Sequence, residues 1–476
     1  MLSEELKKAD RLSHIGVSEI LTITQRAVAL RAAGRPMIIL GAGEPDFDTP
    51  DNIKEAACQA IARGETGYTA LGGTPRFREA IRHKYQHENG LTFDLAEIMG
   101  ATGAKQVIYN AMAATLDEGD EVLVPAPYWT SYIDIIRFCG GAPVCIPTQE
   151  ENGFCLTPAQ LEQHITPRTR WLFLNSPSNP TGSAYTEAAL GELAAILRRN
   201  PAVNVLSDDI YEHIAYDGFV PRNILQVAPD LRGQVLLVNG VSKAYAMTGW
   251  RIGFAAGPRA MIDAMLVVQS QTTSCPCSIS QAATVEALTG PQDSVRTCVQ
   301  AFSQRRDLVV DSLNAIDGIH CLRPKGAFYA FASCRDLISR RTPHGQVIAS
   351  DSDFMAYLMA HDVAVVPGSC FGTEGYFRIS YAASTENLQT AMARIQSACA
   401  QLAQWSHVPG AAHWSLAVNV STRQFQNPLF VSSVRDAIAS TGANPHLLRI
   451  ELTESMFLTD IENSILKMQE LQALGV

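Results

Sequence analysis

The chain of 476 residues carries 37 Lys and Arg against 47 Asp and Glu, a formal charge of −10, and is 47% hydrophobic and 18% charged. That balance is globular and the length allows two or more domains, while no broad basic surface favours nucleic acid or anionic lipid. No apolar run approaches the ~18 residues of a membrane span, and the start MLSEELKKADRLSHIG lacks the apolar centre of a signal peptide. The 11 cysteines are scattered, and the close pair Cys275-Pro-Cys277 has neither zinc nor redox spacing, so no metal is expected and a reducing cytoplasm is the simplest reading.

Apolar runs alternate with helical patterns from about residue 90 to 290. EVLVP (121–125), APVCIP (142–147), RWLFLN (170–175), VNVLS (203–207) and QVLLVN (234–239) read as buried strands, with stretches such as TEAALGELAAILRR long enough for crossover helices. This rhythm predicts an α/β fold with a mostly parallel sheet covered on both faces. Residues 51–299 form the large domain on this reading, and 1–50 with 300–403 form a smaller α/β domain from both chain ends. Trp129, the Asn179-Pro180-Thr181-Gly182 turn, Asp208 and Lys243 each follow one of the runs. Ligands bind outside the carboxyl ends of strands in open parallel sheets, so these elements point toward one crevice.

ATGAKQ (101–106) opens a helix after a short strand, where backbone amides can hold a phosphate. NSPSNPTG (175–182) serves equally well as an ordinary turn. In SDDIYEH (207–213), Asp208 can pair with a protonated ring nitrogen and Tyr211 with a phenolic oxygen. A helix-capping aspartate and a core tyrosine are the competing roles. In VNGVSKAYAMTGWRIG (238–253), Lys243 becomes an amine nucleophile if an apolar, cation-rich pocket lowers its pKa. Arg251 can grip a phosphate there, and Gly249 and Gly253 permit close backbone approach. A surface lysine beside a structural arginine remains the alternative.

These segments occur in order with GAGEPDFDTP (41–50), TGYTALGGTP (66–75), PAPYWTSY (125–132) and YFRISYA (376–382). Together, over residues 1–400, they resemble the class I/II aminotransferases of pyridoxal-phosphate fold type I, within them the bacterial aspartate aminotransferase group. The resemblance implies transamination between an acidic or aromatic amino acid, aspartate foremost, and a 2-oxo acid such as 2-oxoglutarate. It implies that Lys243 holds pyridoxal phosphate as an imine and shuttles the α-carbon proton. Asp208 would keep the ring nitrogen protonated, Asn179 and Tyr211 would bond the ring oxygen, and Trp129 would stack on the ring. Gly103, Ala104 and Arg251 would hold the phosphate, with Tyr68 reaching the phosphate of a neighbouring subunit in a homodimer. Arg378 would clamp the substrate α-carboxylate beside the Gly43 backbone, and Lys105 would recognise a distal carboxylate unless it is a solvated helix lysine. A fold-type-I β-lyase, sharing Lys243, Asp208 and Arg378, is the alternative chemistry. The KPSAT-like segment of the group reads GVSEI (16–20) here, with Gly16 at the lysine position and Ile20 at the threonine position while Ser18 is kept. The missing lysine lowers prephenate as a substrate and loosens a strict aspartate preference.

The segment from 404 to 476 resembles the interior of an EAL domain, the cyclic-di-GMP phosphodiesterase barrel. Asn419 and Glu451 match two metal-binding positions of that family, but the defining EAL motif and the downstream DDFGTG-type segment do not accompany them. Two strand–helix units of an eight-unit barrel cannot close it. The expectation is a non-catalytic appendage joined near ACAQLAQW (398–405), folding poorly or packing as a helical extension, with cyclic-di-GMP binding as the alternative.

Overall fold

The computed structural model describes residues 9–13, 15–343, 345–405, 416–420, 425, 430–441, 445, 448–452 and 461–476. The helix Glu19–Ala32 leads into β1 (Ile38–Ile39), and helices Asp51–Ala62 and Pro75–Asn89 follow. One seven-stranded sheet is then laid down from β2 (Ile98–Ala101), β3 (Glu121–Ala126), β4 (Ala142–Pro147), β5 (Thr169–Asn175), β6 (Asn204–Asp208), β7 (Val235–Gly240) and β8 (Gly253–Ala256). Its order is β2-β8-β7-β6-β5-β3-β4. Only β8 runs against its neighbours, so the sheet is mostly parallel, as expected.

The five apolar runs are β3 to β7, each within a residue of its predicted bounds. In β5, Trp171, Leu172, Phe173 and Leu174 are all buried, because helices cover both faces of a central parallel strand. The expectation of a buried strand is wrong for β4. It forms the sheet edge, and Ala142, Cys145 and Pro147 are exposed. Two prolines, which lack an N–H for a ladder, suit that place. The crossover helix Glu187–Arg199 is started by Thr186, whose hydroxyl accepts from the Ala189 N–H. Its Leu190, Leu193, Ala194 and Leu197 recur at helical spacing and are buried. Each buried leucine stabilises the fold by about 2 kcal/mol.

A second layer contains β9 (His320–Cys321), β10 (Tyr329–Ser333), β11 (Val363–Ala364), β12 (Val366–Pro367) and β13 (Tyr376–Ser380). Strands β12, β13, β10 and β9 form an antiparallel sheet in that order. β1 pairs in parallel with β11, which ties the first fifty residues to the second half of the chain. The helix Asp293–Asn314 runs through residue 300. The helix Thr385–Trp405 buries Leu388, Ala391, Met392, Ile395, Ala398 and Cys399 in the same core.

Beyond it, β14 (Leu416–Val420) and β15 (Leu448–Leu452) pair in parallel, with helix Phe430–Thr441 between them in sequence and Ile461–Ala473 after. Phe425, Val431 and Leu471 form a small apolar cluster. Asn419 and Glu451 are register partners in the strand pair, while their side chains lie outside the described residues.

Candidate active site

Strands β5, β6 and β7 end side by side at Asn175, Asp208 and Gly240, and the chain carries on from β7 to Lys243. The opposite wall comes from the second layer, through Gly43, Tyr329 on β10 and Arg378 on β13. They enclose a cavity of about 330 Å³. Gly43, Ala104, Lys105, Trp129, Asn179, Asp208, Tyr211, Lys243, Arg251 and Arg378 all line it. Gly103 lies just behind, against Arg251. Tyr68 is 94% exposed and lies outside the lining.

Lys243 Nζ donates to the Gly43 carbonyl at 2.6 Å, joining the two layers. Burial lowers its pKa to about 8, and Arg378 and Arg251 push it the same way against the opposite pull of Glu44 and Asp208. About a tenth of this amine is therefore neutral and nucleophilic at pH 7, far more than of an ordinary lysine. Asp208 is buried at the end of β6, and burial raises its carboxyl to about 6 despite hydrogen bonds and the nearby lysine. Tyr132 Oη donates to Asp208 Oδ2 at 2.5 Å, whereas among the described residues Oδ1 receives only a long bond of 3.4 Å from the Ile210 N–H. An N–H donor in the cavity suits that under-used oxygen.

Arg378 is buried, with Nη1 donating to Asn179 Oδ1 at 2.7 Å and Nη2 to the Gly41 carbonyl at 2.6 Å. Its guanidinium lies 4.5 Å from the Tyr329 ring centre and 4.9 Å from that of Phe371. Its Nε has no hydrogen-bond partner and no carboxylate pairs with it among the described residues. A buried cation of this kind is compensated by an anionic ligand, and a carboxylate matches its planar fork. Tyr211 and Tyr329 share a hydroxyl–hydroxyl bond of 2.9 Å beside it. Lys105 Nζ lies 4.9 Å from the Trp129 ring centre, its pKa lowered by burial and then by Arg251.

A cluster of nitrogen donors closes one end. Gly103, at φ +89°, caps the helix Ala104–Thr115, and a Cβ there would stand 2.4 Å from Arg251 Nη2. A Cβ on Gly253 would stand 2.2 Å from the Ala104 nitrogen. Both glycines are needed for the guanidinium and the helix N-terminus to meet, and together these donors suit an anion. A reactive amine, a carboxylate awaiting an N–H, an anion cradle and an unpaired guanidinium fit pyridoxal phosphate with an amino-acid substrate.

Sequence reasoning missed Tyr132, Asn175 and Tyr329. Tyr132 stands three residues after Trp129, just inside the helix Ser131–Phe138, and that closeness in sequence was the available signal. Asn175 bonds the Asp208 carbonyl at 2.8 Å and accepts from the Asn179 N–H at 2.8 Å, so it holds the turn that presents Asn179. Tyr329 gives no signal beyond that of a core aromatic.

Fold and cavity together are those of a group-transfer enzyme, with Lys243, Asp208 and Arg378 gathered at the strand ends. A family model described as aminotransferase class I and II matches residues 35–395, and the chain belongs to that family. An aspartate aminotransferase of Rhizobium meliloti (strain 1021) is 59% identical over 396 residues, 83% of this chain and 96% of that protein. A probable aspartate/prephenate aminotransferase of Rickettsia felis is 49% identical over 403 residues, 84% of this chain and 98% of that protein. The crystal structure of the Rhizobium meliloti aspartate aminotransferase matches with a TM-score of 0.82 at 57% identity, covering 83% of this chain and all (100%) of that one. The Thermus thermophilus aspartate aminotransferase with maleate matches with a TM-score of 0.78 at 40% identity and the same coverage. A second family model, for the EAL domain, matches residues 382–476 and begins just before the helix Thr385–Trp405.

Proposed function

We propose that the enzyme transfers the amino group of aspartate, or of a related acidic or aromatic amino acid, to a 2-oxo acid such as 2-oxoglutarate, with pyridoxal phosphate as cofactor. The observation that carries this reading is the convergence of Lys243, Asp208 and Arg378 on one cavity. Bound there, pyridoxal phosphate supplies an aldehyde for amines and a ring that draws electrons from the substrate α carbon. Lys243 would hold it covalently and, once freed, move the α-carbon proton with Nζ. Asp208 would face the ring nitrogen, and Asn179 and Tyr211 the ring oxygen. Trp129 would cover the ring face, while Gly103, Ala104 and Arg251 would hold the phosphate. Arg378 would orient the substrate α-carboxylate beside Gly43, fixing which bond at the α carbon is cleaved.

An acidic side chain suits Lys105 at the rim, and the Thermus thermophilus relative solved with the diacid maleate points the same way. Ile20 lines the cavity beside Ser18 and Leu21, so the mouth also offers apolar surface to an aromatic side chain. A homodimer gives the exposed Tyr68 a role at the neighbouring subunit's cradle. All 11 cysteines are free, which suits the cytoplasm. A panel of amino donors at saturating 2-oxoglutarate tests the reading. Keto-acid formation that requires the added oxo acid supports transfer, whereas formation without it indicates β-elimination.

A further inference from the structure

Asp208 does not stand alone at the end of β6. Tyr132 Oη donates to its Oδ2 at 2.5 Å, and both side chains are buried. The tyrosine is the fixed partner of this pair. Its ring meets Trp129 edge-on at 5.3 Å and Phe173 edge-on at 5.0 Å, and Phe173 belongs to the central strand β5. The aromatic stack therefore aims one hydroxyl from the helix Ser131–Phe138 at one carboxylate oxygen. The other oxygen, with only the long Ile210 contact, is left for a ligand in the cavity.

We propose that Tyr132 is a positioning residue that keeps Asp208 ionised and oriented toward the ring nitrogen of pyridoxal phosphate. The inference rests on the reading that the cavity holds that cofactor. Aspartate and a pyridine nitrogen share one proton. With the proton on nitrogen the pair is ionic and the ring is a strong electron sink; with the proton on the carboxyl the ring is a weak one. A buried carboxylate deprived of hydrogen-bond donors favours the second arrangement, because burial penalises its charge. The bond that Tyr132 donates is stronger to an ionised carboxylate than to a neutral carboxyl, and so favours the first. The hydroxyl cannot itself deliver its proton readily, since burial and the neighbouring Asp208 charge raise its pKa well above the ordinary tyrosine range. It acts through Asp208 rather than on the substrate.

The test is Tyr132→Phe, which keeps the ring and its edge-on packing and removes only the oxygen. Wild type and variant are loaded with pyridoxal phosphate labelled with 15N in the ring, and the nitrogen resonance is recorded. The expected result is a shift in the variant away from the protonated and toward the unprotonated position. The amino-donor kcat should fall roughly tenfold with KM little changed, in keeping with one hydrogen bond to a charged group. An unchanged 15N resonance in a variant that still binds the cofactor overturns the proposal, whatever its turnover. Wild type that takes up no cofactor overturns the reading beneath it instead. Tyr132→Leu, which also removes the aromatic stack, should lose cofactor affinity as well; if Tyr132→Phe already shows that same loss with no change in resonance, the hydroxyl is structural and the proposal fails.

Discussion

Arg378 and Asn179 are hydrogen-bonded to each other, Nη1 to Oδ1 at 2.7 Å, although they are 199 residues apart and belong to different layers of the molecule. The two cavity-lining groups, proposed to receive a substrate carboxylate and a ring oxygen, are thus held in one fixed geometry. The same asparagine is anchored through its N–H to Asn175, and Asn175 bonds the Asp208 carbonyl. A chain of short bonds therefore runs from the Arg378 guanidinium to the backbone of Asp208. Preorganisation of this kind lowers the cost of orienting a reacting bond.

Arg378→Ala should raise KM for both amino donor and oxo acid by about a hundredfold, as expected for removing one side of a charged bidentate contact. Bound cofactor should be largely retained. Steady-state kinetics with aspartate and 2-oxoglutarate, alongside the absorbance of bound cofactor, check this. A normal KM would mean that the guanidinium serves structure only.

The apoenzyme should capture pyridoxal phosphate faster as pH rises. An amine whose pKa has been lowered is neutral, and reactive, above about 8 rather than above the usual lysine range. Stopped-flow absorbance across roughly pH 6 to 10 should show a rate that is half-maximal near 8 and levels above about 9. A profile still climbing at the top of that range would place the reactive amine in water.

Gly103→Ala should weaken cofactor binding by tenfold or more, from an estimate of about 1–3 kcal/mol of backbone strain. The residue sits at φ +89°, and the new methyl would collide with Arg251. Equilibrium titration of apoenzyme with pyridoxal phosphate measures the change, and inorganic phosphate competition should weaken in parallel.

Truncation after residue 405 should leave transamination unchanged within about twofold, because the site lies wholly in the preceding residues. Truncation after 381 should abolish folding. It removes Leu388, Met392 and Ile395 from the core, at about 2–5 kcal/mol for each large side chain, against a net stability of roughly 5–15 kcal/mol. Circular dichroism and activity of the two truncations separate the cases. Loss of activity in the longer one would give the tail a part in catalysis.

The large sheet was legible because central strands are apolar on both faces, and RWLFLN or QVLLVN admits few other readings in a chain of this rhythm. The edge position of β4 was not, since APVCIP is as apolar as an inner strand and only its prolines hint at the rim. Lys243, Asp208 and Arg378 were legible as chemistry only in combination. Each alone has an ordinary structural role, and their meeting depends on a strand end and a β13 residue more than a hundred positions apart. Tyr132 and Tyr329 stayed hidden because a buried aromatic carries no sign of where its hydroxyl points. At the other end, the helix Thr385–Trp405 serves the aminotransferase core while lying within the EAL match, and the two matches overlap over residues 382–395.

Lys243 is the residue proposed to hold pyridoxal phosphate. Reduction of the purified enzyme with borohydride, followed by proteolysis and mass spectrometry, should find a pyridoxyl group on the peptide containing Lys243 and on no other lysine. Lys243→Ala should lose both the label and nearly all turnover. A label on another lysine, or full turnover by Lys243→Ala, would contradict the account.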